Sequence, residues 1–271
     1  MIRVDFLGSP GVGKTSLYKE LLRDKNKCFS SIDSIKRVLA LDYLTKKSNL
    51  NYKEQLAKFI LFSNYLFKPL EFKALNKVIH RASYDILFED KTIIQEFLNT
   101  VLLGINFVEK DPLLNLMGIE WFFDTLKIAV LVEKNNLNKI ALFDESLSQK
   151  VFGVTYLKNG YYEKQVEKYF LSLIPPKVLI HCDLHTEEIF NRIRKRKKII
   201  PEHRNISEQE LKEIIKIQRN VANVGSLILK DRGVKVVTLN MEDSIDININ
   251  KIHGAIKTYF GGENCAECKY C

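Results

Sequence analysis

The sequence lacks several features that would assign it to common protein classes. No apolar run approaches the ~18 residues of a membrane span, so a spanning helix is not expected. The N-terminus has no signal-peptide pattern, because residues 2–7 already read as a β-strand. Five cysteines, an odd number, fit reduced thiols better than a disulfide framework. Together these absences predict a cytoplasmic protein.

Repeats, low-complexity linkers and the usual residue sets of nucleophilic catalysis are also missing. No Ser-His-Asp or Cys-His arrangement stands out among 271 residues, which can form one large domain or two small ones. Hydrophobic content of 46% and charged content of 28% are ordinary for a globular chain. The net charge of +9 favours anionic partners such as nucleotides, phosphorylated metabolites or nucleic acid, and does not choose among them.

The most informative stretch is residues 8–15, GSPGVGKT, which matches G-x-x-x-x-G-K-[ST] at every fixed position. It follows the apolar strand at 2–7 and precedes an amphipathic helix. Glycines let consecutive N–H groups point at a phosphate, and the helix N-terminus adds partial positive charge. Lys14 could then reach the β- and γ-phosphates of ATP, and the Thr15 hydroxyl could ligate Mg²⁺. The predicted nucleotide contacts are Gly8, Ser9, Pro10, Gly11, Val12, Gly13, Lys14, Thr15 and Ser16.

Two carboxylates, Asp144 and Glu145, follow the apolar strand predicted at 139–143. Ligands of open α/β sheets bind at the carboxyl ends of strands. One carboxylate, Asp144 in our assignment, could hold Mg²⁺ while its neighbour accepts a proton from an attacking hydroxyl or positions the acceptor. The alternative is a helix N-cap with an acidic first turn.

A basic run covers residues 192–198, where six of seven side chains are Arg or Lys. The predicted helix from Thr186 to about Lys198 would place Arg192 and Arg196 one turn apart on the same face. Arginines brought to a transferring phosphoryl group stabilise its charge, and residues 201–206 would then form the mobile half of a lid. A solvated basic helix end and a nucleic-acid contact are the alternatives.

Strands alternating with helices predict a doubly wound parallel α/β sheet. Further strands are expected at 178–182 and 234–239, with a helical insertion at about 34–136 that covers one side of the sheet. A further strand could lie at 37–41 or at 92–97, and residues 28–34 read as a loop. Ser207 and Glu210 form a capping box before another helix, with Ile206 and Leu211 as its hydrophobic staple.

With GSPGVGKT at 8–15, LFDES at 142–146 and D-x-x-x-E-E-x-x-x-R-x-R-x-R from 183 to 196, the chain resembles the nucleoside and nucleoside-monophosphate kinases among P-loop NTPases. The resemblance is to thymidylate kinases and deoxynucleoside kinases in particular. The resemblance covers about half of the chain, residues 1–25 and 139–260. It implies a five-stranded parallel sheet, ATP·Mg²⁺ on the phosphate loop, lid arginines after the strand ending at Cys182, and a loop after Leu239 against the adenine. These kinases commonly follow the acidic residue with an arginine, where this chain has Glu145.

The C-terminal tail, residues 263–271, contains Cys265, Cys268 and Cys271 in a C-x-x-C-x-x-C pattern. Thiolates at this spacing could share one Zn²⁺ if Cys28, Cys182 or His253 supplied a fourth ligand. Loose terminal thiols are the simpler interpretation. The main domain is then expected to span residues 1–262.

The sequence thus predicts a P-loop phosphotransferase in which Lys14, Asp144, Glu145, Arg192 and Arg196 act on ATP and a small hydroxyl-bearing or anionic acceptor. Two other functions stay open. One is a polynucleotide kinase or other nucleic-acid-directed P-loop enzyme, and the other is a nucleotide-switched binding module that signals through the helical insertion.

Overall fold

A computed structural model describes residues 1–23, 29–62, 68–89, 92–104, 112–154, 163–196 and 206–259. Its strands are β1 (Ile2–Leu7), β2 (Phe29–Ser31), β3 (Ile140–Phe143), β4 (Val178–Asp183) and β5 (Lys235–Asn240). Its helices are α1 (Lys14–Arg23), α2 (Ile32–Lys46), α3 (Tyr52–Phe62), α4 (Lys68–Glu89), α5 (Thr92–Gly104), α6 (Pro112–Glu133), α7 (Leu147–Val154), α8 (Glu163–Ser172), α9 (Thr186–Arg194), α10 (Glu208–Asp231) and α11 (Ile245–Tyr259).

The strands form one five-stranded sheet in the order β2-β3-β1-β4-β5. Every neighbouring pair is parallel, so the expected P-loop α/β sheet of five parallel strands is confirmed. Strand β1 lies in the centre between β3 and β4, and its residues are nearly all buried. Because parallel strands end at the same edge, the segments after Leu7, Phe143, Asp183 and Asn240 meet there.

Helices cover both faces of the sheet, which makes it doubly wound. On one face Val4, Phe6 and Ile180 pack against residues of α1, α9 and α11. On the other face Leu7 and Leu179 pack against α5, α6, α7 and α8. The long helix α10 contributes to both clusters and packs on β4 and β5. Apolar residues on alternate faces of each strand therefore account for both layers.

The described parts of the predicted insertion at 34–136 consist of helices α2 to α6 and the short connections between them. Helices α2, α4 and α6 pack on the β3 side of the sheet, where their buried residues meet Ala141 and Phe143. Within the described ranges no helix has the length and apolarity needed to cross a membrane.

The prediction for the edge of the sheet was wrong in two respects. Neither 37–41 nor 92–97 is a strand, because both segments are helical, in α2 and α5. The fifth strand is instead β2, in the segment 28–34 that was predicted to be a loop, and it pairs with β3 from Phe29 to Ser31. Three residues are too few to show the period-2 alternation by which strands are recognised.

The sheet contains a fully buried ion pair that no motif indicates. Arg3 Nε lies 3.1 Å from Asp5 Oδ1, and both side chains are inaccessible to solvent. Ser148 donates a hydrogen bond to Asp5 Oδ2 at 2.8 Å, and Arg3 donates one to the carbonyl of Ile174. Burial raises the pKa of Asp5, against the charge of Arg3. The pair ties β1 to α7 and to the chain before β4.

Candidate nucleotide and phosphoryl-transfer site

The loop at 8–13 has the backbone that its glycines allow. Gly11 and Gly13 have φ values of +99° and +112°, a region that residues with a Cβ rarely adopt. Gly8 is needed for a different reason, because a Cβ there would lie 2.5 Å from the carbonyl oxygen of Cys182. The loop therefore packs directly against the end of β4, and helix α1 begins at Lys14 immediately after it.

Lys14 folds back over this loop. Its Nζ donates hydrogen bonds to the carbonyl oxygens of Gly8 at 2.7 Å and Ser9 at 3.1 Å, and the residue is buried. Burial lowers the pKa of Lys14, and the charges of Glu145 and Asp144 oppose this shift while the charge of Arg196 adds to it. Lys14 thus interacts electrostatically with three of the predicted site residues at once.

Asp144 lies beside Thr15, as a Mg²⁺ site on this loop requires. Burial raises the pKa of Asp144, and the neighbouring Thr15 hydroxyl and the charges of Lys14 and Lys19 oppose the shift. Its Oδ1 is buried without a hydrogen-bond partner in the described part of the chain. A carboxylate oxygen and a hydroxyl are ligands that Mg²⁺ accepts alongside phosphate oxygens. These two residues therefore fit the predicted ion.

Glu145 differs from Asp144 in its surroundings. Its side chain is exposed, yet partial desolvation is the main cause that raises its pKa. The charge of Asp144 also raises this pKa, whereas the charges of Lys150 and Lys14 lower it. The exposed side chain of Glu145 is thus accessible to a small molecule from solvent.

Helix α7 attaches this acidic pair to the phosphate loop. Ser146 donates a hydrogen bond to the carbonyl of Phe6 at 2.9 Å. The Gln149 side chain accepts from Gly8 N at 3.3 Å and donates to Gly8 O at 3.1 Å. The first turn of α7 therefore holds the start of the loop from the side of β3. Sequence reasoning missed Gln149; its position just after the acidic pair was the available signal.

Arg192 lies at the loop, and its guanidinium is held by two main-chain carbonyl oxygens. Its Nη1 donates to the carbonyl of Val12 at 3.0 Å and its Nη2 to the carbonyl of Met241 at 3.2 Å, while Nε pairs with Glu188. It therefore connects the phosphate loop to the segment after β5, the segment that the kinase resemblance places against the adenine. Met241 was not singled out from the sequence.

The prediction that Arg192 and Arg196 share one helical face was wrong, because α9 ends at Arg194 and Lys195 is its C-cap. Arg196 follows the helix, is exposed, and still lies close enough to Lys14 to lower its pKa. Arg194 points elsewhere and pairs with Glu208 at 3.0 Å. Lys197, Lys198 and the predicted lid residues 201–205 lie outside the described residues.

The capping box that follows is confirmed, with both reciprocal hydrogen bonds between Ser207 and Glu210 present. The staple residues Ile206 and Leu211 belong to one apolar cluster. They set the direction in which α10 leaves the site.

The predicted zinc site stays a prediction, because Cys28 and the three tail cysteines lie outside the described residues. Cys182 is buried, and burial raises the pKa of its thiol to about 12, which disfavours a thiolate ligand. In the described ranges no group of three or more His, Cys, Asp or Glu side chains could hold a metal ion.

A second charged pair at this edge of the sheet was also missed from the sequence. Arg219 on α10 donates to both oxygens of Asp183, at 2.6 and 2.9 Å, and this lowers the pKa of Asp183. The neighbouring His181 is buried, and this burial lowers its pKa. Asp183 is thus engaged in holding α10 to β4.

Comparison with solved structures gives distant similarities. A deoxyadenosine kinase from M. mycoides with bound dATP aligns over 95% of this chain and 100% of its own, at 13% identity and a TM-score of 0.45. A shikimate kinase from Bacteroides thetaiotaomicron aligns over 94% of this chain and 98% of its own, at 13% identity and a TM-score of 0.36. TT1252 from Thermus thermophilus aligns over 96% and 98%, at 14% identity and a TM-score of 0.37.

No family model and no curated protein sequence matches the chain. At these scores the structural likeness carries no argument about activity. The function must therefore be judged from the side chains around Lys14.

Proposed function

We propose that this chain is an ATP-dependent kinase that transfers the γ-phosphoryl group to a hydroxyl of a small molecule. One observation carries the proposal: the Lys14 ammonium donates to Gly8, whose main chain also bonds Gln149 beside the acidic pair, and the charges of Asp144, Glu145 and Arg196 act on this ammonium. These residues come from three separate segments of the chain, so their convergence requires the fold and not the motif alone.

Each residue has a role that follows from its position. The amides of the loop and the Lys14 ammonium bind the β- and γ-phosphates. Thr15 and Asp144 hold Mg²⁺, which supplies charge neutralisation on the phosphates when bound. Glu145, which is exposed, accepts the proton of the acceptor hydroxyl or orients that hydroxyl. Arg196 is free of the helix and can approach the transferring group.

The contacts of the basic run favour a small acceptor over nucleic acid. Arg192 is engaged with two carbonyl oxygens and with Glu188, and Arg194 is paired with Glu208. A surface that binds a phosphate backbone presents its cations to solvent. Among the described residues of this run, only Lys195 and Arg196 do so without an ion pair to an acidic side chain.

The test is an ATP-dependent phosphorylation screen of nucleosides, nucleotides and sugars, with Lys14→Ala as the inactive variant. Lys230→Ala is the matched control, because Lys230 is an exposed lysine near the end of α10. We expect phosphate transfer to at least one acceptor by wild type and by the control, and none by Lys14→Ala.

Two results would overturn the proposal. Turnover by Lys14→Ala close to that of wild type would mean that the loop does not bind the triphosphate. Tight, steeply salt-dependent binding of RNA or DNA, with phosphate transfer to its ends and to no small acceptor, would instead identify a nucleic-acid-directed enzyme.

A further inference from the structure

Lys150 is a buried lysine near the site that neither the motif nor the proposed mechanism uses. It lies on α7, is only 4% exposed, and its Nζ makes no hydrogen bond within the described residues. The ammonium lies directly over the indole ring of Trp121, on α6. Glu145 is the charged group that interacts with it.

A buried lysine without hydrogen-bond partners lowers the stability of the folded chain. Burial lowers its pKa to about 7, although the charge of Glu145 opposes the shift. The indole face attracts a cation but offers no lone pair to its N–H groups. Buried polar groups normally find hydrogen-bond partners. The three donors of Lys150 are therefore available for an acceptor oxygen that a ligand could bring.

The position of Lys150 is fixed relative to the phosphate loop. Its neighbour Gln149 makes two hydrogen bonds to Gly8, so this turn of α7 cannot drift away from the loop. The charge of Glu145 acts on both Lys150 and Lys14. Trp121 keeps 52% of its surface exposed, so a displacement of its ring would open Lys150 to solvent and to a ligand.

We infer that Lys150 binds an oxyanion of the acceptor, a carboxylate or a phosphate monoester, and that Trp121 covers this subsite. The inference rests on the proposed kinase function and deepens it. Glu145 faces the hydroxyl that is phosphorylated, and Lys150 takes the negatively charged group at the other end of the same molecule. Neutral nucleosides and sugars are then poor acceptors, and hydroxy acids or phosphorylated hydroxy compounds are good ones.

The chain offers a direct probe, because Trp121 is its single tryptophan. The fluorescence of full-length protein saturated with ADP and Mg²⁺ is followed while glycerate, glycerol 3-phosphate or glycerol is added at constant ionic strength. The first two present a carboxylate or a phosphate monoester, and glycerol is their uncharged counterpart. We expect a saturable change with at least one anion and none with glycerol; which anion responds decides between the two groups.

Substitutions then assign the change to Lys150. Lys150→Met is expected to weaken the anion response by about 10- to 100-fold, as expected for loss of a charged hydrogen-bond donor. Lys150→Arg, which keeps the charge, is expected to retain most of it. Lys168→Met removes an exposed lysine from α8 and is expected to leave the response unchanged. An equal response in wild type and Lys150→Met, or no response to either anion, would overturn the inference.

Three further measurements separate this inference from its rivals. ADP binding by Lys150→Met should equal that of wild type, because the substitution leaves the phosphate loop intact; repeating the anion titration in Lys14→Ala without nucleotide tests the subsite even if the kinase proposal fails. The melting temperature of Lys150→Met should rise, since an unpaired buried ammonium is lost. A fall of several degrees would identify Lys150 as a structural residue and refute the subsite.

Discussion

The side chain of Gln149 makes two hydrogen bonds with the main chain of Gly8, one to the amide and one to the carbonyl oxygen. This pair joins α7 to the start of the phosphate loop. The same carbonyl oxygen accepts the hydrogen bond from Lys14. Gln149 therefore positions the carbonyl oxygen that accepts the Lys14 hydrogen bond.

We predict that Gln149→Leu weakens nucleotide binding by about tenfold, because the buried amide and carbonyl of Gly8 lose their partner. Gln209→Leu, at an exposed position in the first turn of α10, is the control and should bind as wild type does. Calorimetric titration with ATP and Mg²⁺ measures both. Unchanged affinity in Gln149→Leu would show that the loop holds its shape without α7.

Two glycines of this region should respond to alanine in opposite directions. Gly8→Ala places a Cβ against the backbone oxygen of Cys182, which cannot move away cheaply, and should lower the free energy of unfolding by about 2 kcal/mol or more. Gly153 lies within α7 with open space around it, so Gly153→Ala should stabilise by about 0.5–1 kcal/mol. Urea unfolding compares the pair. Equal effects would mean that the loop does not pack on β4 as described.

For the arginines after β4, we predict a split between binding and catalysis. Arg196→Ala should lower kcat far more than it weakens ATP binding, because its contact with the transferring group matures in the transition state. Arg194→Ala removes a neighbouring arginine that is paired with Glu208, and should leave both quantities close to wild type. Steady-state kinetics with the acceptor from the screen give kcat and KM. A loss confined to KM in Arg196→Ala would contradict the assigned role.

The stabilising effect of Lys150→Met should depend on pH. The pKa of Lys150 is about 7 in the folded chain against an ordinary 10.5, so between these values the unfolded chain binds more protons. Raising the pH through that window therefore stabilises the wild-type fold, and the penalty from Lys150 is greatest below pH 7. The variant should be more stable by about 1–3 kcal/mol near pH 6.5. Its advantage should fade towards pH 10, as urea unfolding at several pH values can show.

The buried pair in β1 should show strong coupling. Arg3→Met leaves Asp5 buried without its cation and is expected to cost about 3–5 kcal/mol of unfolding free energy. Adding Asp5→Leu removes that stranded charge and should recover much of the loss, although Ser148 then lacks its acceptor. A double-mutant cycle in urea measures the coupling. Additive losses would show that the two side chains do not stabilise each other.

The sequence alone predicted those elements whose signal lies within a few consecutive residues. The phosphate loop is specified by eight consecutive residues, and the buried strands β1, β3 and β4 by short apolar runs, so their positions were predicted to within one residue. The capping box of α10 is equally local. The short strand β2 was missed because its three residues gain their strand identity only from pairing with β3.

The parts of the site that could not be predicted depend on tertiary packing. Lys150 and Trp121 meet only because α6 and α7 pack together, and no spacing in the sequence indicates it. The end of α9 was also missed, since the basic run contains no glycine or proline before Pro201 that would mark it. The position of Arg196 consequently depends on the turn that follows α9, and the helical periodicity of the sequence did not predict this turn.

The order of the sheet has a consequence for how the protein is made. Strand β1 is synthesised first but needs β3 and β4 on either side of it, and these end 136 and 176 residues later than its own last residue, from Phe143 and Asp183 against Leu7. The nucleotide loop therefore cannot acquire its shape on the ribosome until most of the chain has emerged. Fragments that stop before β4 should not retain ATP, however intact their eight-residue motif.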